Sequence, residues 1–274
     1  MKSAGRWLLS IVVAGIFLLP LLWMLGASFS PEAEIFRPGG ALRVLGGMGT
    51  WENYLGAWRR SALGLGLVNS LLQVLLIAGA GLFVNATAAY AFARIQFPGR
   101  DALFAVVVML VVLPLEVLAV PMFLTARDLG LTGGYAAAMT GLTLPFVAKA
   151  FNIYFLRQQF LALPTALEEA AVLDGAGTWR QFWSIGLPLI RPALATVVVL
   201  DLLTHWGDFL WPLMISTREE TRTVQLSLAN LFTQPPIQWG DILACAVMAT
   251  LPVMAIFHWL QRYLVASESQ TGIK

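Results

Sequence analysis

Residues 164–192 read PTALEEAAVLDGAGTWRQFWSIGLPLIRP and form a polar island between two long apolar stretches. Pro164 prevents a helix from running in from upstream, and Thr165 and Glu168 have the spacing of a capping box. Glycine readily takes the left-handed backbone conformation found at the end of a helix. We therefore predict a short helix that begins near Thr165 and ends at Gly175.

The island also predicts a second helix after the glycine turn. Thr178 and Gln181 repeat the capping-box spacing, and Pro188 is expected to close this helix. Its aromatic face consists of Trp179, Phe182 and Trp183. The island is thus predicted to be a helix-turn-helix with exposed acids. The alternative is an amphipathic connector with a capped turn and no further role.

The composition of the chain is that of a membrane protein. Hydrophobic residues make up 58% of the sequence and charged residues only 12%, compared with roughly 25% charged residues in a soluble domain. Runs of about 20 apolar residues are long enough to cross a bilayer. Six such runs lie at about 7–28, 67–92, 102–124, 135–157, 189–213 and 241–264. The sequence therefore predicts an all-α polytopic membrane protein.

Composition also argues against two kinds of binding site. Cys245 is the only cysteine, and His205 and His258 lie in different apolar runs, so we expect no metal site. The net charge is only +2 and the arginines are scattered over short loops, so nothing indicates nucleic acid binding.

The lysines exclude an ATP site of the phosphate-loop type. A Walker A loop needs a lysine directly after a glycine. The three lysines are Lys2, Lys149 and Lys274, and none of them follows a glycine. If ATP drives this protein, we expect another chain to bind it.

Several residues of the island keep the order and spacing of a known motif. They are Glu169-Ala170-Ala171, Asp174-Gly175, Ile185, Leu187-Pro188 and Pro192. In this arrangement they resemble the EAA loop of the membrane-spanning subunits of ABC importers. In that family the loop is cytoplasmic, and its first helix, the coupling helix, docks on an ATP-hydrolysing subunit.

The resemblance extends over nearly the whole chain and points to carbohydrate uptake. Ala89–Arg94 and Trp206–Pro212 are similar to segments of the second, six-span permease of maltose-transporter-type systems. Gly207 departs from the pattern, because members commonly have asparagine at this position.

The resemblance implies a fold, a location and a set of partners. The fold would be the type I ABC importer transmembrane fold, a single domain over residues 1–274, with the EAA loop at about 164–192 and both termini in the cytoplasm. The protein would lie in the bacterial inner membrane, in contact with membrane lipid. The partners would be a second permease subunit, two ATPase subunits and an extracytoplasmic solute-binding protein. The chain would not be an enzyme, since ATP and magnesium would bind the ATPase subunits.

The resemblance also assigns roles within the EAA loop. The acids would face basic groups of the ATPase, the alanines would permit close approach of the helix, and Gly175 would fix the turn. The residues predicted to couple to the ATPase are Glu168, Glu169, Ala170, Ala171, Asp174, Gly175, Ile185, Leu187 and Pro188.

Polar residues within apolar runs are candidates for a solute path, because ionisable groups are costly in a membrane. The predicted path residues are Glu116, Asp201, Trp206 and Asp208. Alternatively, neighbouring helices or a subunit contact satisfy Glu116 and Asp201, and Trp206 anchors the helix at the headgroup level. Hydrogen bonds between helices are predicted for Asn69, Gln73, Asn85, Lys149 and His258.

Three classes of function compete on sequence alone. Import of sugars or oligosaccharides by an ABC permease leads, with polyols or glycerol phosphate as the alternative solutes. A secondary transporter would be expected to show repeated halves with broken helices, and no such symmetry is evident in the sequence. An intramembrane enzyme would need a nucleophile with its base or a metal cluster, which the sparse histidine and cysteine content disfavours.

Overall fold

The computed structural model describes residues 2–37 and 49–271, with the backbone alone for 2–4, 6, 260 and 262–271. The regular secondary structure assigned within these residues consists of helices alone, which confirms the all-α prediction. The longer helices are α1 (Lys2–Ser28), α2 (Glu52–Arg60), α3 (Leu63–Arg94), α4 (Arg100–Val112), α5 (Leu115–Asp128), α6 (Tyr135–Thr143) and α7 (Ala150–Leu161). They continue with α8 (Thr165–Leu173), α9 (Thr178–Gln181), α10 (Arg191–Trp206), α11 (Leu210–Ile215), α12 (Val224–Leu231) and α13 (Trp239–Thr271).

Six membrane spans result when each bent pair of helices counts as one. Three spans are unbroken: Trp7–Ser28, Leu63–Arg94 and Trp239–Trp259. Three are bent: Arg100–Val112 with Leu115–Asp128 by 105°, Tyr135–Phe146 with Ala150–Leu161 by 47°, and Thr178–Leu189 with Arg191–Trp206 by 75°. The three bent pairs overlap the apolar runs predicted at 102–124, 135–157 and 189–213, and their bends are a feature that the hydropathy pattern did not predict.

A proline lies at or close to each of the three breaks. A proline disfavours helical conformation in the residue before it and cannot donate its own backbone bond. Pro114 precedes the first residue of α5 in an extended conformation, with φ −72° and ψ 141°. Pro145 lies in the 3-10 turn Leu144–Phe146 before the second break, and Pro192 lies in the first turn of α10.

The described chain divides into two compact units. Among the described residues, the first unit comprises 2–37, 49–67 and 222–252, and the second comprises 68–221 and 253–271. In the first unit the side chain of Asn53 donates hydrogen bonds to the backbone oxygens of Ser28 and Ser30, at 2.9 and 2.8 Å. Arg60 of the same helix donates to Asp241 at 2.9 Å. Helix α2 thus ties the end of α1 to the beginning of α13.

Two hydrophobic clusters stabilise the second unit. The first contains Ala86, Ala89, Tyr90, Ala93, Leu156, Phe160, Phe182, Ile190, Ala193 and Val197. The second contains Ile77, Ala126, Ala138, Met139, Leu142, Phe146, Trp211 and Ile215. In the second cluster the indole N–H of Trp211 donates to the backbone oxygen of Gly141 at 3.0 Å, so α11 contacts α6 closely.

Replacing Gly141 by alanine is expected to destabilise the protein. A Cβ atom at this position would lie 2.7 Å from the backbone oxygen of Leu131 and 3.1 Å from its Cβ atom. Overpacking of this kind costs about 1–3 kcal/mol. We expect a lower midpoint of thermal unfolding for the detergent-solubilised protein.

Gly79→Ala is the matched control. Gly79 also lies within a helix, α3, but a Cβ atom there would meet nothing within 4 Å. Alanine favours a helix over glycine, so this variant should be at least as stable as the unmodified protein. Equal unfolding temperatures for both variants would contradict the close approach at Gly141.

Candidate functional site

The first helix of the polar island, α8, begins where the sequence predicts but without the predicted cap. Pro164 occupies the capping position with φ −60° and ψ 128°, and no side chain caps the helix. Thr165 is therefore the first helical residue, one position too late for its hydroxyl to cap. The prediction of a capping box at Thr165 and Glu168 is wrong, because Pro164 itself supplies the extended conformation that precedes the helix.

Glu168 is bound within the chain. Its Oε1 atom accepts a hydrogen bond from Nε of Arg94 at 3.0 Å, and only 12% and 17% of the Arg94 and Glu168 side chains are exposed. Arg94 also donates to the backbone oxygen of Leu163 at 2.8 Å. The expectation that Glu168 is one of the exposed acids is wrong, because its carboxylate is paired with Arg94, the last residue of α3.

The turn after α8 has the predicted left-handed glycine. Gly175 has φ +75°, and its N–H donates to the backbone oxygen of Val172 at 3.0 Å. The next N–H, that of Ala176, donates to the backbone oxygen of Ala171 at 2.8 Å. A Cβ atom at Gly175 would meet nothing within 4 Å. The turn therefore requires glycine for its backbone conformation and not for space.

Helix α8 has one buried side and one exposed side. Ala171 is buried, whereas Glu169 and Asp174 are exposed. Val172 is 60% exposed, and Leu173, close to the glycine turn, is 90% exposed. Sequence reasoning concentrated on the acids and missed these two side chains. The available signal was an apolar pair directly before the glycine turn of an otherwise polar segment.

The second helix of the island is less regular than predicted. Helix α9 has Gly177 at its capping position and no side-chain cap, and Gln181 instead donates to the backbone oxygen of Ala176 at 2.7 Å. The capping box of Thr178 and Gln181 is therefore wrong. A π-helical turn, Phe182–Gly186, follows and leads into Leu187–Leu189.

Pro188 does not end the helix as predicted. It lies within the first two positions of the turn Leu187–Leu189, where proline needs no intrahelical partner for its nitrogen. The chain bends only at Ile190, before α10. Ile185 and Pro188 are half-buried, Ala170 is exposed, and Leu187 packs against the first hydrophobic cluster.

One aromatic residue of the island anchors it to the rest of the second unit. The Phe182 ring lies 5.2 Å from the ring of Tyr90 and 6.3 Å from that of Phe160, measured between centroids. Trp179 and Trp183 are 57% and 47% exposed. The predicted aromatic face is therefore divided, with Phe182 in the core and both indoles at the surface.

Asp201 of the predicted solute path is bound by a neighbouring helix. Its Oδ1 atom accepts a hydrogen bond from Nζ of Lys149 at 2.7 Å. The side-chain amide of Asn152 donates to both carboxylate oxygens, at 3.2 and 3.0 Å. Of the two alternatives raised by the sequence, contact with a neighbouring helix is present. Sequence reasoning missed the pairing with Lys149, since 52 residues separate the two.

The other path residues lie in different environments. Glu116 is exposed in the first turn of α5, after the break at Pro114. Trp206 is buried, and Asp208 is half-buried with Oδ1 at 3.4 Å from the backbone nitrogen of Trp211. Their assignment to a solute path stays a prediction.

His205 is a buried polar side chain within the same region. It is 3% exposed, and its ring lies 4.7 Å from that of Phe146. Neither ring nitrogen has a hydrogen-bond partner in the described part of the chain. Among the side chains that the structure describes, no three of histidine, cysteine, aspartate or glutamate come together as metal ligands.

The polar residues predicted to bond between helices mostly do so. Asn69 accepts from the hydroxyl of Tyr135 at 2.8 Å, and the Gln73 amide lies 3.4 Å from the backbone oxygen of Leu142. His258 is the exception. Its Nδ1 atom lies 2.7 Å from Nε2 of Gln261, within its own helix.

Comparison with known proteins gives consistent similarities. The family described as "Binding-protein-dependent transport system inner membrane component" matches residues 81–269. The chain is 32% identical over 272 residues to the arabinooligosaccharides transport system permease protein AraQ of Halalkalibacterium halodurans, covering 98% of this chain and 96% of the relative. It is 30% identical to the sn-glycerol-3-phosphate transport system permease protein UgpE of Yersinia enterocolitica, covering 91% and 90% of the two chains.

A solved structure has the same fold. It belongs to a bacterial ABC transporter involved in the import of the acidic polysaccharide alginate. The TM-score is 0.77 with 22% identity, and the similarity covers 96% of each chain.

The contacts of the island predict opposite behaviour for its two adjacent glutamates. Glu168→Ala removes the partner of the largely buried Arg94 and should cost about 1–3 kcal/mol of stability. Glu169→Ala, at an exposed position of the same helix, is the matched control and should leave the thermal midpoint unchanged. Differential scanning fluorimetry of the purified protein tests both, and a larger loss for Glu169→Ala would contradict the Arg94 contact.

Proposed function

Because the chain belongs to the family of binding-protein-dependent transport system inner membrane components, we propose that it is one permease subunit of an ATP-driven importer for sugars or oligosaccharides. It is a multi-pass protein of the bacterial inner membrane. A relative named for arabinooligosaccharide transport and the fold of an alginate importer support carbohydrate as the solute class.

The exposed apolar end of α8 carries the proposed coupling role. Leucine and valine at 90% and 60% exposure, beside exposed acids, form a surface suited to contact another protein. The same helix is held to the rest of the second unit by the Arg94–Glu168 ion pair and by buried Ala171. A segment fixed at these residues and apolar at its exposed end can transmit a displacement from a docked partner.

The proposed partner at this surface is an ATPase subunit, one of two in the complex. This chain lacks the glycine-lysine pair of a phosphate loop, so ATP and magnesium would bind the ATPase subunits. A second permease subunit would complete the solute path, and an extracytoplasmic binding protein would deliver the solute. ATP binding would then shift the population between two packings of the permeases.

The proposed topology places the EAA loop on the cytoplasmic side of the membrane. With six spans, an N-terminus in the cytoplasm puts the chain between the fourth and fifth spans, where the EAA loop begins, and the C-terminus on that same side. Thr178–Leu189, the first arm of the bent pair that forms the fifth span, would then lie outside the membrane with the loop. The solute path would include Glu116, Trp206 and Asp208, while Asp201 would reach solute only through the partly exposed Lys149.

Glycerol phosphate or a polyol is the second candidate solute. The 30% identity to a glycerol-3-phosphate permease over 91% of the chain supports it. The same permease features serve both solute classes, so only transport measurements distinguish them.

Purification with co-expressed genomic neighbours tests the proposed function. We expect an ATPase subunit to copurify and its ATP hydrolysis to rise when binding protein and the correct solute are added. The panel should contain arabino- and other oligosaccharides, uronate oligosaccharides, polyols and glycerol phosphates. Absence of any copurifying ATPase would refute the proposal, and stimulation by glycerol phosphate alone would replace the carbohydrate assignment.

Gly175→Val is expected to uncouple the importer without preventing membrane insertion. A side chain at φ +75° costs about 1–2 kcal/mol, so the turn after α8 should shift and displace Leu173. Solute uptake and solute-stimulated ATP hydrolysis should both fall in proteoliposomes.

Gly177→Ala is the matched control for this variant. Gly177 has φ −68°, which any residue adopts, and a Cβ atom there would meet nothing within 4 Å. We expect unmodified uptake for Gly177→Ala. Unmodified uptake for Gly175→Val as well would show that the left-handed turn does not position the coupling surface.

A further inference from the structure

At the break in the fourth span, a side chain of α3 forms hydrogen bonds with the backbone groups that lack a helical partner. The backbone N–H of Lys149 donates to Oδ1 of Asn85 at 2.9 Å, and the amide of Asn85 donates to the backbone oxygen of Val147 at 3.1 Å. Asn85 is fully buried. A Cβ atom at Gly81, one turn earlier, would lie 3.2 Å from that same oxygen. Asn85 thus satisfies the backbone freed at residues 147–149, which we call the pivot.

At the last residue of the pivot and in the first turn of α7, two polar side chains bind a third on α10. Lys149 and Asn152 bind the carboxylate of Asp201 with three hydrogen bonds, at 2.7, 3.2 and 3.0 Å. Only 2% of the Asp201 side chain and 22% of the Lys149 side chain are exposed. We call Lys149, Asn152 and Asp201 the polar clamp.

The polar clamp joins the beginning of α7, the helix before the EAA loop, to Asp201 in the second half of α10, the helix after it. Helix α7 has 12 residues, so the pivot is about 18 Å from the start of the loop. At the near end, Leu156, Phe160, Phe182, Ile190 and Val197 belong to one hydrophobic cluster. Helices α7 and α10 are therefore joined at both ends, by apolar packing beside the loop and by the polar clamp beside the pivot.

The ion pair of the polar clamp fixes the register between α7 and α10, which apolar packing alone does not. Apolar side chains can slide past one another, whereas a buried ion pair that slips by one turn leaves both charges unpaired, at a high free-energy cost. The polar clamp thus permits one register between α7 and α10. At the pivot, in contrast, the contact with α3 consists of two hydrogen bonds to one side-chain amide, that of Asn85, across a bend of 47°.

We infer that Lys149, Asn152 and Asp201 are positioning residues that make α7, the EAA loop and α10 move as one rigid arm about the pivot. Displacement of the EAA loop by the ATPase would then reach the middle of the membrane without being absorbed by sliding between the two helices. This inference rests on the proposed function, because it assumes that an ATPase moves the loop.

The test is the number of solute molecules imported per ATP hydrolysed by the complete importer in proteoliposomes. Asp201→Asn keeps the shape of the side chain, and its new amide can donate to Oδ1 of Asn152, a buried acceptor without a partner in the described residues. The fold should therefore survive while the ion pair is lost. We expect the ratio of transport to hydrolysis to fall by about 2- to 30-fold.

Lys149→Met/Asp201→Leu is the second variant, in which an apolar pair replaces the ion pair. Such replacements are often neutral or stabilising for the fold, yet here the ratio should fall as in Asp201→Asn. The control is Arg127→Gln/Asp128→Asn, which removes an exposed ion pair between neighbours on one helix. That pair cannot join two helices, so its loss should leave the ratio unchanged.

Two results would overturn the polar clamp. One is an unmodified ratio in an assembled Lys149→Met/Asp201→Leu importer. The other is a parallel loss of transport, hydrolysis and thermal stability in both variants, because residues that only hold the fold lower all three together. Failure of the unmodified chain to copurify an ATPase would instead refute the proposed function.

Discussion

The hydrocarbon interior of a membrane requires every backbone N–H and C=O group to find a partner inside the protein, and the bent spans of this chain depend on that constraint. A break after Pro145 frees the backbone at Val147 and Lys149, and the amide of Asn85 binds both groups. The side-chain ammonium group of Lys149 donates a hydrogen bond to Asp201. One buried asparagine therefore permits a bend in the middle of the second unit.

The EAA loop combines a fixed inner side with an open outer side. Arg94 and Phe182 hold its two helices to the rest of the second unit, by an ion pair and by ring contacts. Leu173, the last residue of α8 before the left-handed turn at Gly175, is 90% exposed. This asymmetry suits a part that receives motion from another protein and passes it inward.

Much of the fold could be read from the sequence, because apolar runs and prolines act locally. The six runs, the left-handed glycine and the hydrogen bonding of Asn85 are all present in the structure. The capping boxes failed, because Pro164 and Gly177 already supply extended backbone at the capping positions. The bends in three of the spans were not predicted, because a hydropathy run records apolar character and not the direction of the chain.

The sequence by itself determined that the chain crosses a membrane several times, carries a segment that resembles the EAA loop of ABC importers and has no phosphate-loop site for ATP. These conclusions depend on composition and on spacing over a few residues. Tertiary structure alone decided that Glu168 turns inward to Arg94, that Leu173 is exposed, and that Asp201 is held by Lys149. The physical reason is distance along the chain: residues 52 to 74 positions apart become partners only when packing brings their helices together.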